Sequence, residues 1–273
     1  MIKDTKLIAI DMDETLLTSK KEVPKEFVPL VKRLDSLGVV TTIASGRPLY
    51  TLKAMFPDVP LGFICDNGGI VSYKEKLIKQ SLLPFRDYHR MIDFVLNQTT
   101  GIPILCGLDS AYLPDSAKDF RDYLTYFYKN IESVPDFQNL HIDADKFTVY
   151  FPDRDSRKAY DEIFRDAFSQ DYTVQVSGDE WIDFMNLGVD KGSAILALGN
   201  ELNISQNAMM AFGDAENDIP MLKVAKYSYI VANAVPGMKR YAAYVTASND
   251  EGGVTKVLGD LANQLEVENG RHQ

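Results

Sequence analysis

The sequence has few of the features that mark secreted, zinc-binding or membrane proteins. Its two cysteines, Cys65 and Cys106, lie in apolar segments without C-x-x-C spacing, so we expect buried thiols in a reducing compartment rather than a disulfide or zinc site. No apolar stretch approaches the roughly 20 residues that span a bilayer. The apolar run before Asp11 is also too short for a signal peptide. We therefore predict a cytoplasmic protein without a membrane partner.

Long basic segments are absent as well. The formal net charge is −10 and the sequence pI is about 4.8, which disfavours binding to nucleic acids or to anionic membranes. An anionic substrate would therefore have to be bound by a local arrangement of donors. The length of 273 residues is sufficient for a large core and for two domains.

Both ends of the sequence alternate between strand and helix patterns. The predicted strands are Leu7–Ile10, Val39–Ala44, Gly62–Cys65, 208–212 and 228–232, and the predicted helices are 27–37, a short one opened by Pro48, 191–202 and 251–265. This order is typical of an α/β, Rossmann-like, doubly wound parallel sheet. The polar tail 266–273 is expected to be frayed.

The middle of the sequence has a different pattern. A predicted hairpin (70–73 and 77–82) is followed by predicted helices at 88–99, 118–129 and 157–168 and by predicted strands at 102–106, 146–151, 172–177 and 181–186. This grouping favours a mixed or antiparallel sheet with helices on one face. We therefore predict a core formed by 1–83 and 188–273, with an inserted α/β (α+β) domain at 84–187.

Residues suited to chemistry follow the predicted strands of the core or open its helices. Asp11 and Asp13 follow the first strand, where alternation would point both to one side and Met12 to the other, and two close carboxylates need a cation. The other segments are Ser45-Gly46-Arg47, Lys191, and Asp214 with Asn217 and Asp218. Each segment taken alone is better explained as a turn, a helix cap or a solvated residue. Together, in this order, they predict one site beyond the carboxyl ends of the strands.

These motifs resemble the haloacid dehalogenase (HAD) superfamily, and specifically its Cof-type phosphatases. The resemblance rests on the segments D-M-D-E-T-L-L, A-S-G-R, V-D-K-G, G-D-A-E-N-D-I-P-M-L, A-N-A-V-P-G-M-K and N-D-E-G-G-V. The position of the insert is similar to that of a C2-type cap. The resemblance implies a Mg²⁺-dependent phosphatase that hydrolyses small phosphorylated metabolites, such as sugar phosphates, through an aspartyl-phosphate intermediate.

The resemblance also assigns roles. Asp11 would be the nucleophile, Asp13 the general acid and base, and Lys191 a catalytic residue that also contacts phosphate. The remaining phosphate or substrate contacts would be the main-chain amides of Met12 and Gly46, together with Ser45, Arg47 and Asn217. The metal ligands would be Asp11, Asp13 through its carbonyl, Asp214 and Asp218, and the resemblance leaves open whether Asp218 binds directly or orients a bound water or Lys191.

Several positions have alternative interpretations. Glu14 stands where the family often has glycine, which puts the local backbone geometry in doubt. Arg47 either reaches the substrate or pairs with a surface carboxylate. Asn67 belongs either to the junction of core and insert or to an ordinary Asn-Gly turn. The aromatic residues at 123 and 126–128 either line a pocket or, as we prefer here, pack a helix.

Two alternative functions stay open at this stage. A phosphotransferase or phosphomutase would use the same chemistry with a sugar as the acceptor. A non-hydrolytic phosphoacceptor or binding module, similar to a receiver domain, would also need acids and a lysine around Mg²⁺, although Asp13 and the insert argue against it. We expect a monomer.

Overall fold

The structure of the protein is a computed structural model that describes residues 2–270. Its strands are β1 Leu7–Ile10, β2 Val40–Ala44, β3 Leu61–Cys65, β4 Ile70–Tyr73, β5 Lys76–Gln80, β6 Ile102–Gly107, β7 Ala111–Pro114, β8 Ile131–Val134, β9 Ala144–Tyr150, β10 Tyr172–Val176, β11 Trp181–Asn186, β12 Met209–Gly213, β13 Tyr227–Ile230 and β14 Tyr244–Val245. Its α-helices are α1 Phe27–Ser36, α2 Leu49–Met55, α3 Phe85–Gln98, α4 Arg121–Leu124, α5 Ser156–Ala159, α6 Arg165–Phe168, α7 Lys191–Glu201, α8 Ile219–Val224 and α9 Gly253–Gly270. A π-helical turn, Tyr160–Phe164, joins α5 to α6.

The first sheet has eight strands in the order β14-β13-β12-β1-β2-β3-β4-β5. The strands from β14 to β3 pair in parallel, and the β4–β5 hairpin adds antiparallel strands at one edge. Strand β1 lies between β2, the next strand of the chain, and β12, which comes much later. Ligands of open α/β sheets bind at such a switch point, beyond the carboxyl ends of the strands. The predicted doubly wound α/β fold is therefore confirmed.

Strand β1 is covered on both faces. Ile8 and Ile10 pack with side chains of α1, α2 and α9, whereas Leu7 and Ala9 pack with side chains of α7 and α8. Burying a leucine or isoleucine side chain contributes about 1.5–3 kcal/mol, so this strand is fixed at the centre of the sheet. Asp11, the next residue, is held in place by the same packing.

The second sheet has six strands in the order β10-β11-β9-β6-β7-β8. Strands β7 and β8 pair in parallel, and the other pairs are antiparallel. One face packs against α3 and the α5–α6 segment, with Tyr88 and Phe164 beside Phe147 and Phe184.

The predicted mixed sheet is therefore confirmed, but its helices do not all lie on one face. Leu124 of α4 packs with Ile104 and Cys106, on the face opposite to the one that α3 covers. The domain boundaries at 83/84 and 187/188 stay a prediction.

The predicted helix 118–129 is wrong beyond Leu124. A 3₁₀ segment, Asp115–Phe120, leads into α4, and the chain then turns. The main-chain carbonyl of Tyr126 accepts a hydrogen bond from Arg47 at 2.7 Å, and the main-chain amide of Lys129 donates to Thr51 at 2.9 Å. Because these main-chain groups bind residues beside the first sheet, they do not continue the helix. The apolar spacing of this segment gave no sign of those contacts.

Three short strands were also absent from the prediction. Strands β7 and β8 have four residues each, and β14 has two. Glu132 and Ser133 of the edge strand β8 are exposed, so β8 lacks the apolar run of a buried strand. Strand β7 is apolar, but Pro114 ends it after four residues.

The predicted frayed tail is wrong as far as residue 270. Helix α9 continues to Gly270, and Arg33 of α1 donates to both carboxylate oxygens of Glu266 at 2.5 Å. Residues 271–273 of that tail lie outside the described part of the chain. Cys65 and Cys106 are buried free thiols, as predicted. Among residues 2–270, no helix has the length and apolar character needed to cross a membrane.

Candidate active site

The carboxyl ends of β1, β2 and β12 lie side by side and carry the predicted site residues. Ile10 pairs with a residue of each neighbouring strand, and Asp11, Ser45 and Asp214 are the residues that follow the three strands. All three line a cavity of about 740 Å³ between the two sheets. Sequence motifs that are far apart along the chain therefore meet in one place.

Lys191 connects two of the predicted acids. It is the first residue of α7, where the Asp190 side chain accepts a hydrogen bond from the amide of Ser193 at 2.6 Å and caps the helix. The fully buried Nζ of Lys191 donates to Asp11 Oδ1 at 2.6 Å and to Asp218 Oδ1 at 2.7 Å. The capped helix end therefore fixes an ammonium group beside the predicted nucleophile.

The pKa values in this cluster are strongly perturbed. Burial and the carboxylate of Asp218 raise the pKa of Asp11 to about 7, against the opposing effect of Lys191. Burial and the charge of Asp11 raise the pKa of Asp214 well above its usual range. Burial alone would lower the pKa of Lys191, but Asp11 and Asp218 raise it, which keeps the ammonium charged. One buried ammonium thus faces an excess of carboxylates.

Asp218 supports the site through both of its carboxylate oxygens. Its Oδ1 accepts from Lys191, and its Oδ2 accepts from the main-chain amides of Asp214 at 2.9 Å and Ala215 at 3.1 Å. Carboxylate oxygens of Asp11, Asp214 and Asp218 nevertheless lie within 4.8 Å of one another. Because protein donors already occupy both of its oxygens, Asp218 suits the orienting role better than the direct metal-binding role.

The acid cluster has the chemistry of a Mg²⁺ site. Thr15 Oγ1 donates to Asp214 Oδ1 at 3.0 Å and so orients that carboxylate beside Asp11. Mg²⁺ prefers oxygen ligands, commonly one or two carboxylates completed by water and substrate phosphate. A divalent cation would also offset the buried negative charge that raises the pKa values here. The residues present therefore fit Mg²⁺.

Substitution of Gly213 tests the position of Asp218 through the stability of the protein. A Cβ at Gly213 would lie 2.5 Å from Cβ and 2.6 Å from Cγ of Asp218, so Gly213→Ala must push Asp218 away from its hydrogen-bond donors. Overpacking of this kind costs about 1–3 kcal/mol, and we expect the free energy of unfolding, measured by urea denaturation, to fall by that amount or more. Gly259→Ala in α9 is the matched control.

The control substitution Gly259→Ala should raise the free energy of unfolding instead of lowering it. A Cβ at Gly259 would meet only Leu30 Cδ2, at 3.9 Å, so the space is sufficient. Alanine is more favourable than glycine inside a helix by about 0.5–1 kcal/mol. Equal unfolding free energies for the two variants would contradict the packing described for Gly213.

Arg47 is bound to the predicted acid and base. Its Nε donates to Asp13 Oδ2 at 3.1 Å and its Nη2 to Asp13 Oδ1 at 3.0 Å, in the two-pronged geometry typical of an arginine–carboxylate pair. The guanidinium carbon also lies 4.3 Å from the centroid of the Tyr126 ring, and the arginine is 3% exposed. Arg47 thus pairs with a carboxylate, as one alternative held, and that carboxylate lines the cavity, where its side chain is 31% exposed.

The turn after Asp11 has an unusual backbone. Glu14 has φ 61° and ψ 0°, the left-handed conformation that glycine adopts most readily. The side chain of Glu14 accepts a hydrogen bond from Lys21 at 2.6 Å. Glu14 therefore has a backbone conformation for which glycine is the least strained residue.

Asn67 lies at the junction of the two sheets. It is fully buried with φ 53°, and its Nδ2 donates to Asp183 Oδ2 of β11 at 2.7 Å. Its Oδ1 accepts from Asn217 Nδ2 at 3.2 Å. Asn67 therefore connects a residue of the second sheet to a predicted phosphate contact, and it does so from within the 3₁₀ turn Asp66–Gly68, so both alternatives describe part of its role.

The remaining predicted contacts divide into two groups. Ser45, Gly46 and Asn217 line the cavity. The side chain of Met12 is fully buried in the core instead, so only its main-chain amide is left for the predicted phosphate contact. The hydroxyl of Ser45 accepts a hydrogen bond from the main-chain amide of Arg47 at 3.2 Å. An ordinary turn would make the same contact.

Lys146 is a cavity residue that the sequence analysis missed. It lies in β9, is 2% exposed, and donates through Nζ to the main-chain carbonyl of Gly46 at 2.5 Å. The carboxylates of Asp66 and Asp183 lie 3.2 Å and 3.7 Å from its Nζ. Burial would lower the pKa of Lys146, but its acidic neighbours, Asp183 first, raise it. A lysine followed by the apolar pattern of a buried strand is a signal that could have identified it.

Aromatic side chains of the second sheet line the opposite side of the cavity. They are Tyr123, Tyr126, Phe127, Tyr128 and Trp181. Tyr128 is buried in the core of the second sheet, in agreement with the packing interpretation. Tyr126 and Phe127 lie beyond the end of α4 and face the cavity, so for them the preferred helix-packing interpretation is wrong.

Comparison with known sequences identifies the class of protein. The sequence profile of the haloacid dehalogenase-like hydrolases matches residues 8–258, which is most of the chain. The chain therefore belongs to this family and is an enzyme of the HAD phosphatase type. This assignment sets aside the non-hydrolytic phosphoacceptor module. The C2 type of the insert stays a prediction.

Individual relatives agree with this class. The chain is 29% identical over 260 residues to the 5-amino-6-(5-phospho-D-ribitylamino)uracil phosphatase YbjI of Escherichia coli K12, covering 93% of this chain and 94% of that protein. It is 25% identical over 281 residues to YwtE of Bacillus subtilis 168, which has the same activity in its name, covering 94% and 98%. The crystal structure of SMU.1108c from Streptococcus mutans UA159 superposes with a TM-score of 0.87 at 32% identity, covering 94% of this chain and 98% of that one.

Proposed function

We propose that this protein is a Mg²⁺-dependent phosphatase that hydrolyses monoesters of small phosphorylated metabolites through an aspartyl-phosphate on Asp11. The observation that carries the proposal is the buried contact of Lys191 with Asp11 and Asp218, beside the carboxylate of Asp214. Sugar phosphates and phosphorylated ribityl compounds, the latter named for two relatives, are the candidate substrates.

In the first step Asp11 attacks phosphorus while the ester oxygen leaves. Lys191 orients Asp11 through its 2.6 Å hydrogen bond and adds positive charge next to the incoming phosphate. Ser45, the amide of Gly46 and Asn217 line the cavity and can donate to the phosphoryl oxygens. Asp13 gives a proton to the departing oxygen, which lets a poor leaving group depart as an alcohol.

In the second step water cleaves the aspartyl-phosphate. Asp13 removes a proton from this water, so the same carboxyl acts first as an acid and then as a base. Arg47 contacts both oxygens of Asp13 and is a positioning residue for it. Since Arg47 also binds the main-chain carbonyl of Tyr126, the position of Asp13 depends on the second sheet as well as the first.

Mg²⁺ would be held by Asp11, Asp214 and the main-chain carbonyl of Asp13. When bound, it supplies positive charge that offsets the repulsion between the nucleophile and the phosphate. Asp218 and Thr15 would keep Lys191 and Asp214 in place around it.

A panel of phosphomonoesters tests the function and the metal together. We expect phosphate release from several small esters in Mg²⁺ and none after EDTA, with activity restored by excess Mg²⁺. The carboxylates left without a cation would repel the substrate phosphate. Full activity in EDTA, or no release from any ester in Mg²⁺, would contradict the proposal.

Product analysis separates hydrolysis from phosphoryl transfer. The panel is repeated with glucose or ribose present at high concentration, and the products are followed by phosphorus NMR. A phosphatase releases inorganic phosphate in water whether or not a sugar is present. Exclusive formation of a new sugar phosphate would identify a phosphotransferase or phosphomutase.

A further inference from the structure

We propose that Lys146 is a positioning residue that holds the peptide unit between Gly46 and Arg47 and thereby aims the hydroxyl of Ser45 at the transferring phosphoryl group. The inference rests on the proposed phosphatase function and adds a residue of the second sheet to it. Lys146 acts through the main chain of the first sheet and does not itself touch the phosphate.

The main chain of residues 45–47 is held from two sides. On one side, main-chain amides of the turn Asp66–Gly68 donate to the carbonyls of Ser45 at 3.0 Å and Arg47 at 3.1 Å. The carbonyl between these two, that of Gly46, accepts instead from Nζ of Lys146 in β9 at 2.5 Å. The orientation of this one peptide unit therefore depends on the second sheet.

The planarity of the peptide unit transmits the contact to Ser45. The carbonyl of Gly46 and the amide of Arg47 belong to one rigid unit and point in opposite directions. Because that amide donates to Oγ of Ser45 at 3.2 Å, the ammonium that fixes the carbonyl also fixes this hydrogen bond. A hydroxyl has one proton and two lone pairs. With one lone pair bound to the amide, the Ser45 hydroxyl can donate its proton to a phosphoryl oxygen in the cavity that it lines with Asp11.

The ammonium of Lys146 is already bound by protein groups. An ammonium has three donors, and besides the carbonyl of Gly46 the carboxylates of Asp66 and Asp183 lie 3.2 Å and 3.7 Å from Nζ. Although Lys146 lines the cavity, its side chain is only 2% exposed. A phosphate that approached this ammonium would also approach the two carboxylates and be repelled. The surroundings therefore favour an indirect role over direct phosphate binding.

A double-mutant cycle on kcat tests the proposal. Release of inorganic phosphate from the best ester of the panel is measured for the unaltered protein, Ser45→Ala, Lys146→Met and the double variant. We expect kcat to fall ~10²-fold in Ser45→Ala, the loss typical of one donor to a transition-state oxygen, and ~10-fold in Lys146→Met. Because Lys146 acts through Ser45, the double variant should lie within ~3-fold of Ser45→Ala alone.

Two outcomes of the cycle would overturn the proposal. Multiplied losses, with kcat of the double variant lowered ~10³-fold, would mean that Lys146 acts independently of Ser45. An unchanged kcat in a folded Lys146→Met would mean that the lysine only joins the two sheets.

Thr148→Val is the matched control. Thr148 lies on the same face of β9 as Lys146 and donates to the carbonyl of Ile182 at 3.2 Å, within the second sheet. This variant should keep the kcat of the unaltered protein. A loss as large as that of Lys146→Met would attribute both effects to the packing of β9 and would also overturn the proposal.

A charge-balanced pair covers the case in which Lys146→Met does not fold. Loss of the ammonium leaves the buried carboxylates of Asp66 and Asp183 without a cation, which is destabilising. The variant Asp66→Asn with Lys146→Met removes one charge of each sign and is compared with Asp66→Asn alone, which keeps the contact with Gly46. We expect kcat to be ~10-fold lower in the double variant than in Asp66→Asn. Equal values would contradict the role of Lys146.

The two proposals fail in different ways. No phosphate release from any ester by the unaltered protein removes the phosphatase, and the role of Lys146 with it. Release by the unaltered protein together with multiplied losses in the cycle keeps the phosphatase and removes the role of Lys146.

Discussion

Asp11→Asn is expected to lower kcat by at least ~10⁴-fold, because it removes the nucleophile itself. Asparagine has nearly the same shape and can still accept a hydrogen bond from Lys191, but its amide does not form an acyl phosphate. Activity is measured by release of inorganic phosphate in saturating Mg²⁺ with the best ester of the panel.

The stability of the same variant is its control. Burial and Asp218 raise the pKa of Asp11 to about 7, so the ionised carboxylate is unfavourable in the fold. Asp11→Asn removes that charge, and its melting temperature at pH 8 in EDTA should equal or exceed that of the unaltered protein. An inactive variant that is also unfolded would make the activity result uninformative, whereas a folded variant that keeps its activity would show that the nucleophile is another residue.

Asp13→Asn is expected to lower kcat by ~10²–10⁴-fold, the range for loss of a general acid or base. Asparagine keeps the size of the side chain but neither gives nor takes the proton. The loss should be largest for esters of ordinary alcohols, whose oxygen needs protonation to leave.

An activated ester separates the two roles of Asp13. With p-nitrophenyl phosphate the leaving group departs without a proton, so the Asp13→Asn variant should release up to one p-nitrophenol per enzyme rapidly and then turn over slowly. Asp166→Asn, at a side chain that is 93% exposed on α6, is the control and should behave as the unaltered protein. The same slow rate for both phases, without a burst, would contradict a role for Asp13 in the second step.

The sequence was sufficient to predict the first sheet, apart from its short edge strand β14, and the meeting point of its motifs. The apolar run Leu7–Ile10 is short and buried on both faces, a pattern that only a central parallel strand has reason to show. Once β1, β2 and β12 are neighbours in one parallel sheet, Asp11, Ser45 and Asp214 must share an edge. That part of the site follows from local pattern and topology.

The contacts between the two sheets could not be predicted in the same way. The sequence left open whether Arg47 reaches the substrate or pairs with a surface carboxylate, and in the structure it is buried between Asp13 and Tyr126. Its position depends on where the segment after α4 crosses the cavity, and the hydrogen bonds that stop this helix come from residues far away along the chain. Propensity and periodicity carry no information about such partners.

Lys146 shows that the burial of a charged side chain is equally hard to predict from the sequence. Lys146 opens the predicted strand 146–151, a position where a lysine is ordinarily solvated. The apolar run after it marks it only as a candidate, and the packing of β9 at the centre of the second sheet is what buries it. The carboxylates that make its burial tolerable, Asp66 and Asp183, belong to different sheets. The link between Lys146 and the main chain of Gly46 therefore becomes visible only when both sheets are in place.

The central claim is that Asp11 takes the phosphoryl group covalently, and chemical trapping tests it most directly. The enzyme is mixed with substrate and Mg²⁺, quenched in acid within milliseconds, reduced with borohydride and digested for mass spectrometry. Borohydride reduces an acyl phosphate to an alcohol, so we predict homoserine at position 11 in the substrate-treated sample and intact aspartate in the untreated one. Reduction at another residue, or an unmodified Asp11 during rapid turnover, would contradict the account.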